Sequence, residues 1–187
     1  MNIFVLDKNT INAARMQCDK HVVKMVTEAA QMLSNAFDDS QRPIRLRNPD
    51  DYREMTLQFP DYVEPYRRCY LHHPCSRWAT RTYGNFMWLL LHGIELGRQY
   101  DIRYDKVHRS TNVLNWILGN MDLANIDHSS SVITMHPQMM PDELMGDDVV
   151  EAYRRYYIRD KARFAKWNKG VQAPSWWNIA ELHERRI

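Results

Sequence analysis

Ile11-Asn-Ala-Ala-Arg-Met-Gln-Cys-Asp-Lys-His-Val-Val-Lys-Met-Val-Thr-Glu-Ala-Ala-Gln-Met-Leu-Ser-Asn-Ala-Phe37 is the stretch whose reading decides the fold. Its apolar residues Cys18, Val22, Met25, Val26, Ala29 and Leu33 return every three or four positions, which is the period of an amphipathic helix. Asn9 or Thr10 is placed to cap it. Ahead of it, Asn2-Ile-Phe-Val-Leu6 is a short apolar run suited to a strand or a buried arm.

Three further helices are expected downstream. Pro74 fits the first turn of one running from Cys75 to Tyr100, with Trp78, Phe86, Leu89, Leu90 and Ile94 in its interior and Gly84, Gly93 and Gly97 marking either close helix packing or a locally weakened helix. A third runs from Tyr104 to Leu118 with Val107, Leu114 and Ile117 inward, ended by Gly119-Asn120. The fourth starts at Asp147 or Asp148 and reaches Lys169, carrying Val150, Tyr153, Tyr157, Phe164 and Trp167 near one face. Between them lie a proline-bearing loop over Asp38–Tyr70, with at most a short helix near Tyr52–Leu57, and an irregular stretch from Asp122 to Met145. The expectation is an all-α, mainly helical single domain over residues 1–187, with about four principal helices, two long loops and a short N-terminal arm or strand.

Composition narrows the function classes. The 187 residues are 44% hydrophobic and 26% charged, which is globular, and only six are glycine, which disfavours a turn-rich β fold. The longest uninterrupted apolar run, Phe86–Leu91, is far too short to cross a membrane. Three cysteines without a C-x-x-C pair argue for a reduced, cytoplasmic protein and no disulfide framework. Neither H-x-x-x-H nor Cys/His zinc spacing occurs, and the P-loop, dinucleotide and nucleophile-elbow glycine motifs are missing, so no metal or cofactor is expected. Net charge is only +2. Its distribution is uneven, because Glu151–Ile187 holds nine Lys or Arg against four Asp or Glu, interleaved with three Tyr and three Trp. Such a segment can meet phosphate and stack on bases, and it reads equally as a solvated basic face over an aromatic core.

Three constellations carry chemistry. Gln17, His21, Lys24 and Glu28 fall on one helical stripe, where a base, an amine and a carboxylate could move protons or attack a sugar carbon. The same spacing makes Lys24 and Glu28 an ordinary i,i+4 pair with His21 at the surface. Leu71-His-His-Pro-Cys-Ser-Arg-Trp78 opens a helix bearing Arg77 and Arg81, a setting for phosphate near His73 or a plain helix start. Tyr153-Arg-Arg-Tyr-Tyr157, with Trp167 beyond, offers Arg154 and Arg155 to a phosphodiester backbone and Tyr156, Tyr157 and Trp167 to an unstacked base. Met140-Pro-Asp-Glu143 adds two carboxylates that serve equally as helix-start acids or catalysts.

The blocks Cys18-Asp-Lys-His-Val-Val-Lys-Met25, His73-Pro74-Cys75 with Trp78, Met140-Pro-Asp-Glu143 and Tyr153-Arg-Arg-Tyr-Tyr157 make the chain resemble a widespread group of phage-encoded proteins. Asp19-x-His21 followed by Glu28, a later His-Pro before a helix, and a basic aromatic C-terminal segment are also similar to the pyrimidine-dimer DNA glycosylase/lyase family. That resemblance implies a compact helical domain with Glu28 as catalytic acid, His21 beside the DNA, and an α-amine forming an imine with the sugar. The family exposes a small residue after removing its initiator methionine, whereas Asn2 disfavours removal here, so either the Met1 amine or Lys24 is the nucleophile.

The reading is a phage DNA base-excision or base-modification enzyme acting on a damaged or modified pyrimidine. Its partner is DNA, its catalytic residues are His21, Lys24 and Glu28, and its phosphate ligands are Arg77, Arg81, Arg154 and Arg155. Two alternatives stand beside it: a non-catalytic counter-defence factor that binds nucleic acid or a host or phage protein, and an enzyme acting on a free nucleotide or a nucleotide-derived DNA adduct.

Overall fold

Two of the expected long helices are broken, and each break has a side chain that causes it. The structure, a computed structural model, describes residues 1–38 and 63–177. Helix α1 spans Thr10–Arg15 and α2 spans Asp19–Ser34. At the corner between them the buried Arg103 guanidinium donates to the carbonyls of Arg15 and Gln17 at 3.0 and 2.8 Å and pairs with Asp19 at 3.1 Å. Those carbonyls would otherwise need intrahelical partners, so the guanidinium satisfies a helix end in the interior. The next helix is divided likewise into α3, Pro74–Ala79, and α4, Tyr83–Tyr104. Thr82 caps α4 by accepting the Asn85 amide at 3.1 Å, while the Asn85 side chain donates to the carbonyl of Trp78 at 2.9 Å.

Helix α5 is Arg109–Gly119, starting later than expected because Asp105 turns left-handed at φ 51° and His108 becomes the cap. Val107 is consequently exposed at 69%, not inward. Helix α6 covers Val149–Tyr156 and runs into a π-helical turn, Tyr157–Lys161, so regular α-helix stops well short of Lys169. Six α-helices and no strand are found among the described residues. The expected short helix near Tyr52–Leu57 lies outside them.

The α2 stripe works as its spacing requires. Cys18, Val22, Met25, Val26, Ala29 and Leu33 are each no more than 4% exposed. Helix α2 packs against the long α4 at its centre and α5 at one flank, while α1 also lies on α4. The N-terminal run is an arm, not a strand: Ile3, Phe4, Val5 and Leu6 are buried and contribute to the core. Trp88 is a core residue. Among the described residues no helix is long and apolar enough to cross a membrane.

Candidate functional site

The arm brings the start of the chain to Glu28. The Asn2 backbone N–H donates to Glu28 Oε2 at 2.9 Å, and Lys24 Nζ holds Oε1 at 3.1 Å. Asn2 is itself fixed from the far end of the sequence, because its side-chain amide donates to the Met139 carbonyl at 2.9 Å and its Oδ1 accepts the Tyr153 hydroxyl at 2.7 Å. Glu28 is thus a buried carboxylate whose two oxygens face different donors. His73, which caps α3, is electrostatically close to the same group. Partial burial lowers its pKa most, the α-amine's charge lowers it further, and Glu28 opposes both.

These residues border a cavity of about 720 Å³ lined by Met1, Asn2, Phe4, His21, Lys24 and Glu28, with Lys20, Tyr104, Tyr156, Lys161 and Phe164 completing the wall. The volume lies in the range of small-molecule sites. One wall is aromatic: Phe4 stacks on His21 at 4.4 Å and lies nearly parallel to Tyr156 at 6.1 Å. Cations border it, with Lys161 Nζ 4.1 Å from the centre of the Tyr156 ring and Lys20 over Phe164 at 5.4 Å. The π turn sets this geometry by directing Tyr157 into the core and Lys161 to the cavity wall, the kind of local re-aiming for which such turns recur at functional sites.

His21 is buried, not a surface residue. Burial, then the nearby charges of Lys161 and Lys24, pull its pKa down to about 3, so the imidazole is neutral at neutral pH. Gln17 leaves the expected stripe. It precedes α2 and turns inward, where its Nε2 lies 3.0 Å from His92 Nε2.

Arg77 and Arg81 occupy a second groove of about 660 Å³ with Trp78, Thr134, Met135 and Pro137. Both are exposed, and neither makes an ion pair or hydrogen bond through its side chain among the described residues. They do not line the Glu28 cavity. The chain segment from Thr134 to Met139 joins the two sites, since its first part borders the groove and Met139 borders the cavity.

The other basic and aromatic candidates have structural work. Arg154 donates to the Leu6 carbonyl at 2.9 Å, and Arg155 donates to the Leu144 carbonyl at 3.1 Å and pairs with Glu151 at 3.1 Å. Tyr157 is fully buried, and Trp167 is 8% exposed with its indole donating to the Met16 carbonyl at 3.2 Å. Neither ring offers a free face to an unstacked base. Tyr156, by contrast, borders the cavity. Of the Met140–Glu143 carboxylates, Glu143 is exposed and clamps Arg159 at 2.7 Å.

Sequence reasoning reads Asn2 and Phe4 only as part of the arm and Lys161 only as one cation of the basic C-terminal segment, and assigns none of the three to the Glu28 site. Phe4 and Asn2 carry no chemical signature in a short apolar run, and Lys161 depends on the π turn. No protein-family model, curated protein or solved structure matches this chain.

Proposed function

We propose that the protein is a DNA base-excision or base-modification enzyme of the glycosylase/lyase type, acting on a damaged or modified pyrimidine in DNA. The observation that carries this reading is the contact between Asn2 and Glu28, which places the amino-terminal arm and a buried carboxylate together in an aromatic, cation-bordered cavity. In that chemistry an amine bonds to C1′ of the sugar as the C1′–N bond to the base breaks. The base leaves with the bonding pair and takes up a proton, and opening of the sugar ring leaves an imine. In this reading Glu28 stabilises positive charge at C1′ and exchanges a proton with the sugar oxygen. The α-amine at the head of the arm suits the nucleophile better than Lys24, whose side chain is 69% exposed and ion-paired to Glu28 and so lacks the desolvated setting of a nucleophilic lysine. Tyr156 and Phe164, both partly exposed, offer rings to a base withdrawn from its stack. Arg77 and Arg81, unpaired among the described residues, supply guanidinium groups for flanking phosphates.

A second reading draws on Lys20, Lys24 and Lys161, since three ammonium groups around one cavity also suit the phosphate of a free nucleotide. Borohydride trapping separates the two. Oligonucleotides carrying an abasic site or a modified pyrimidine are expected to give a covalent adduct with the full chain. No adduct on any such strand overturns the imine chemistry.

A further inference from the structure

Behind His21 lies a residue with a single proton to give. The Tyr157 hydroxyl oxygen accepts the backbone N–H of Cys18 at 3.0 Å and sits 2.6 Å from His21 Nδ1. The buried phenol's own proton then has two acceptors in reach, His21 Nδ1 and the Cys18 thiol, and because a ring nitrogen accepts far more strongly than a thiol sulfur the proton goes to Nδ1 at 2.6 Å. Nδ1 is therefore the bare nitrogen of the ring, and the ring's one remaining proton lies on Nε2. Nε2 has no partner among the described residues, and the imidazole borders the cavity. The ring is held in place on several sides. Phe4 stacks on it at 4.4 Å, and Phe164 and Tyr157 meet it edge-on at 5.4 and 5.0 Å.

We propose that Tyr157 fixes His21 as its Nε2–H tautomer, making His21 a hydrogen-bond donor to a carbonyl oxygen of a pyrimidine in the cavity and not a proton-abstracting base. The ligand's identity rests on the pyrimidine reading above, whereas the tautomer does not. Tyr156 and Phe164 supply faces for the ring of such a base, and Lys20, Lys24 and Lys161 surround the space its phosphate needs. Thymine and uracil present carbonyl oxygens, and adenine presents none. Tyr157 is a positioning residue, since it acts only through His21.

The tautomer is read directly from long-range proton–nitrogen spectra of the isotope-labelled full chain, with His21 assigned by its loss in His21→Gln. The expected pattern is the Nε2–H form throughout pH 5 to 8, giving way in Tyr157→Phe to a mixture containing Nδ1–H. An Nδ1–H ring or an imidazolium in the wild type overturns the proposal, and this spectrum decides it even where Tyr157→Phe does not fold. Thymidine 5′-monophosphate is then expected to move the His21 Nε2–H resonance and to bind about fivefold to tenfold more tightly than deoxyadenosine 5′-monophosphate, the worth of one hydrogen bond. Equal binding of the two nucleotides, or of neither, overturns carbonyl recognition. A correct tautomer and nucleotide preference without any borohydride adduct overturns the glycosylase reading alone.

Discussion

The Asn2 backbone N–H donates to Glu28 Oε2 at 2.9 Å across 26 positions of sequence. One contact therefore couples the placement of the arm to the orientation of the carboxylate, and the two can be tested apart.

Glu28→Gln keeps an amide oxygen that can accept from Asn2 and loses the negative charge. Imine trapping is expected to fall by about 10²-fold or more, the usual cost of removing a general acid or base. Stability should change by less than about 1 kcal/mol, because the lost pair to Lys24 is a partly exposed i,i+4 contact. Thermal unfolding of the variant beside its trapping rate checks both.

A few residues added ahead of Met1 should abolish trapping, whereas Lys24→Ala should retain it. The opposite pattern makes Lys24 the nucleophile. Covalent yield with borohydride, measured on one abasic oligonucleotide for both variants, gives the answer.

Binding to duplex DNA should weaken with salt by about 0.9 log unit per tenfold salt for each phosphate held. Arg77→Ala combined with Arg81→Ala is expected to lower that slope by about 1.8. Arg155→Ala should leave it unchanged, since Arg155 is engaged with Glu151 and the Leu144 carbonyl. Titrations at several ionic strengths compare the slopes.

Acid should unfold the protein through buried imidazoles. Burial is the main cause that lowers His21 to about 3 and both His92 and His136 to about 4. The unfolded chain takes up protons near pH 6.5 while these folded rings do not. Stability is therefore fully present above that pH and is lost as pH falls toward 4, by about 1.4 kcal/mol per pH unit for each ring. Chemical denaturation from pH 7 to pH 4.5 should show the loss, reduced in slope by His92→Gln.

Gly84→Ala should destabilise by about 1–3 kcal/mol, although alanine is the better helix former. A Cβ there would meet the carbonyl oxygens of Ser131 and Val132, the latter at 2.6 Å, and backbone cannot step aside as a side chain can. Gly119→Ala, whose Cβ meets nothing within 4 Å, serves as the control in the same melting experiment.

Much of this fold follows from local signals. The α2 stripe, Asn9 as cap, Pro74 at a first turn and the end at Gly119-Asn120 are all written in adjacent residues. The two broken helices were not legible, because the breaks answer to distant partners: Arg103 captures carbonyls almost ninety positions away, and Asn85 is itself tied to Thr134 at 2.9 Å. The site divides in the same manner. His21, Lys24 and Glu28 share a face by helical period alone. Phe4, Asn2 and Lys161 join them only through long-range packing, and Tyr157, which composition reads as a stacking ring, is diverted to the core by the π turn.

The fastening of Asn2 also has a temporal side. A ribosome releases the arm first and its partners much later: Met139 and Tyr153 hold Asn2, Arg154 holds Leu6, and the Lys166 carbonyl accepts the amide of Asp19. While the chain is still being made, then, the helices α1 to α5 can associate with the arm held by its contacts to α2, Asn2 to Glu28 and Phe4 to His21, before its later partners exist. The cavity next to Glu28 is completed only after synthesis has passed Phe164, so a nascent or prematurely terminated chain carries the His21, Lys24 and Glu28 stripe without its closing wall.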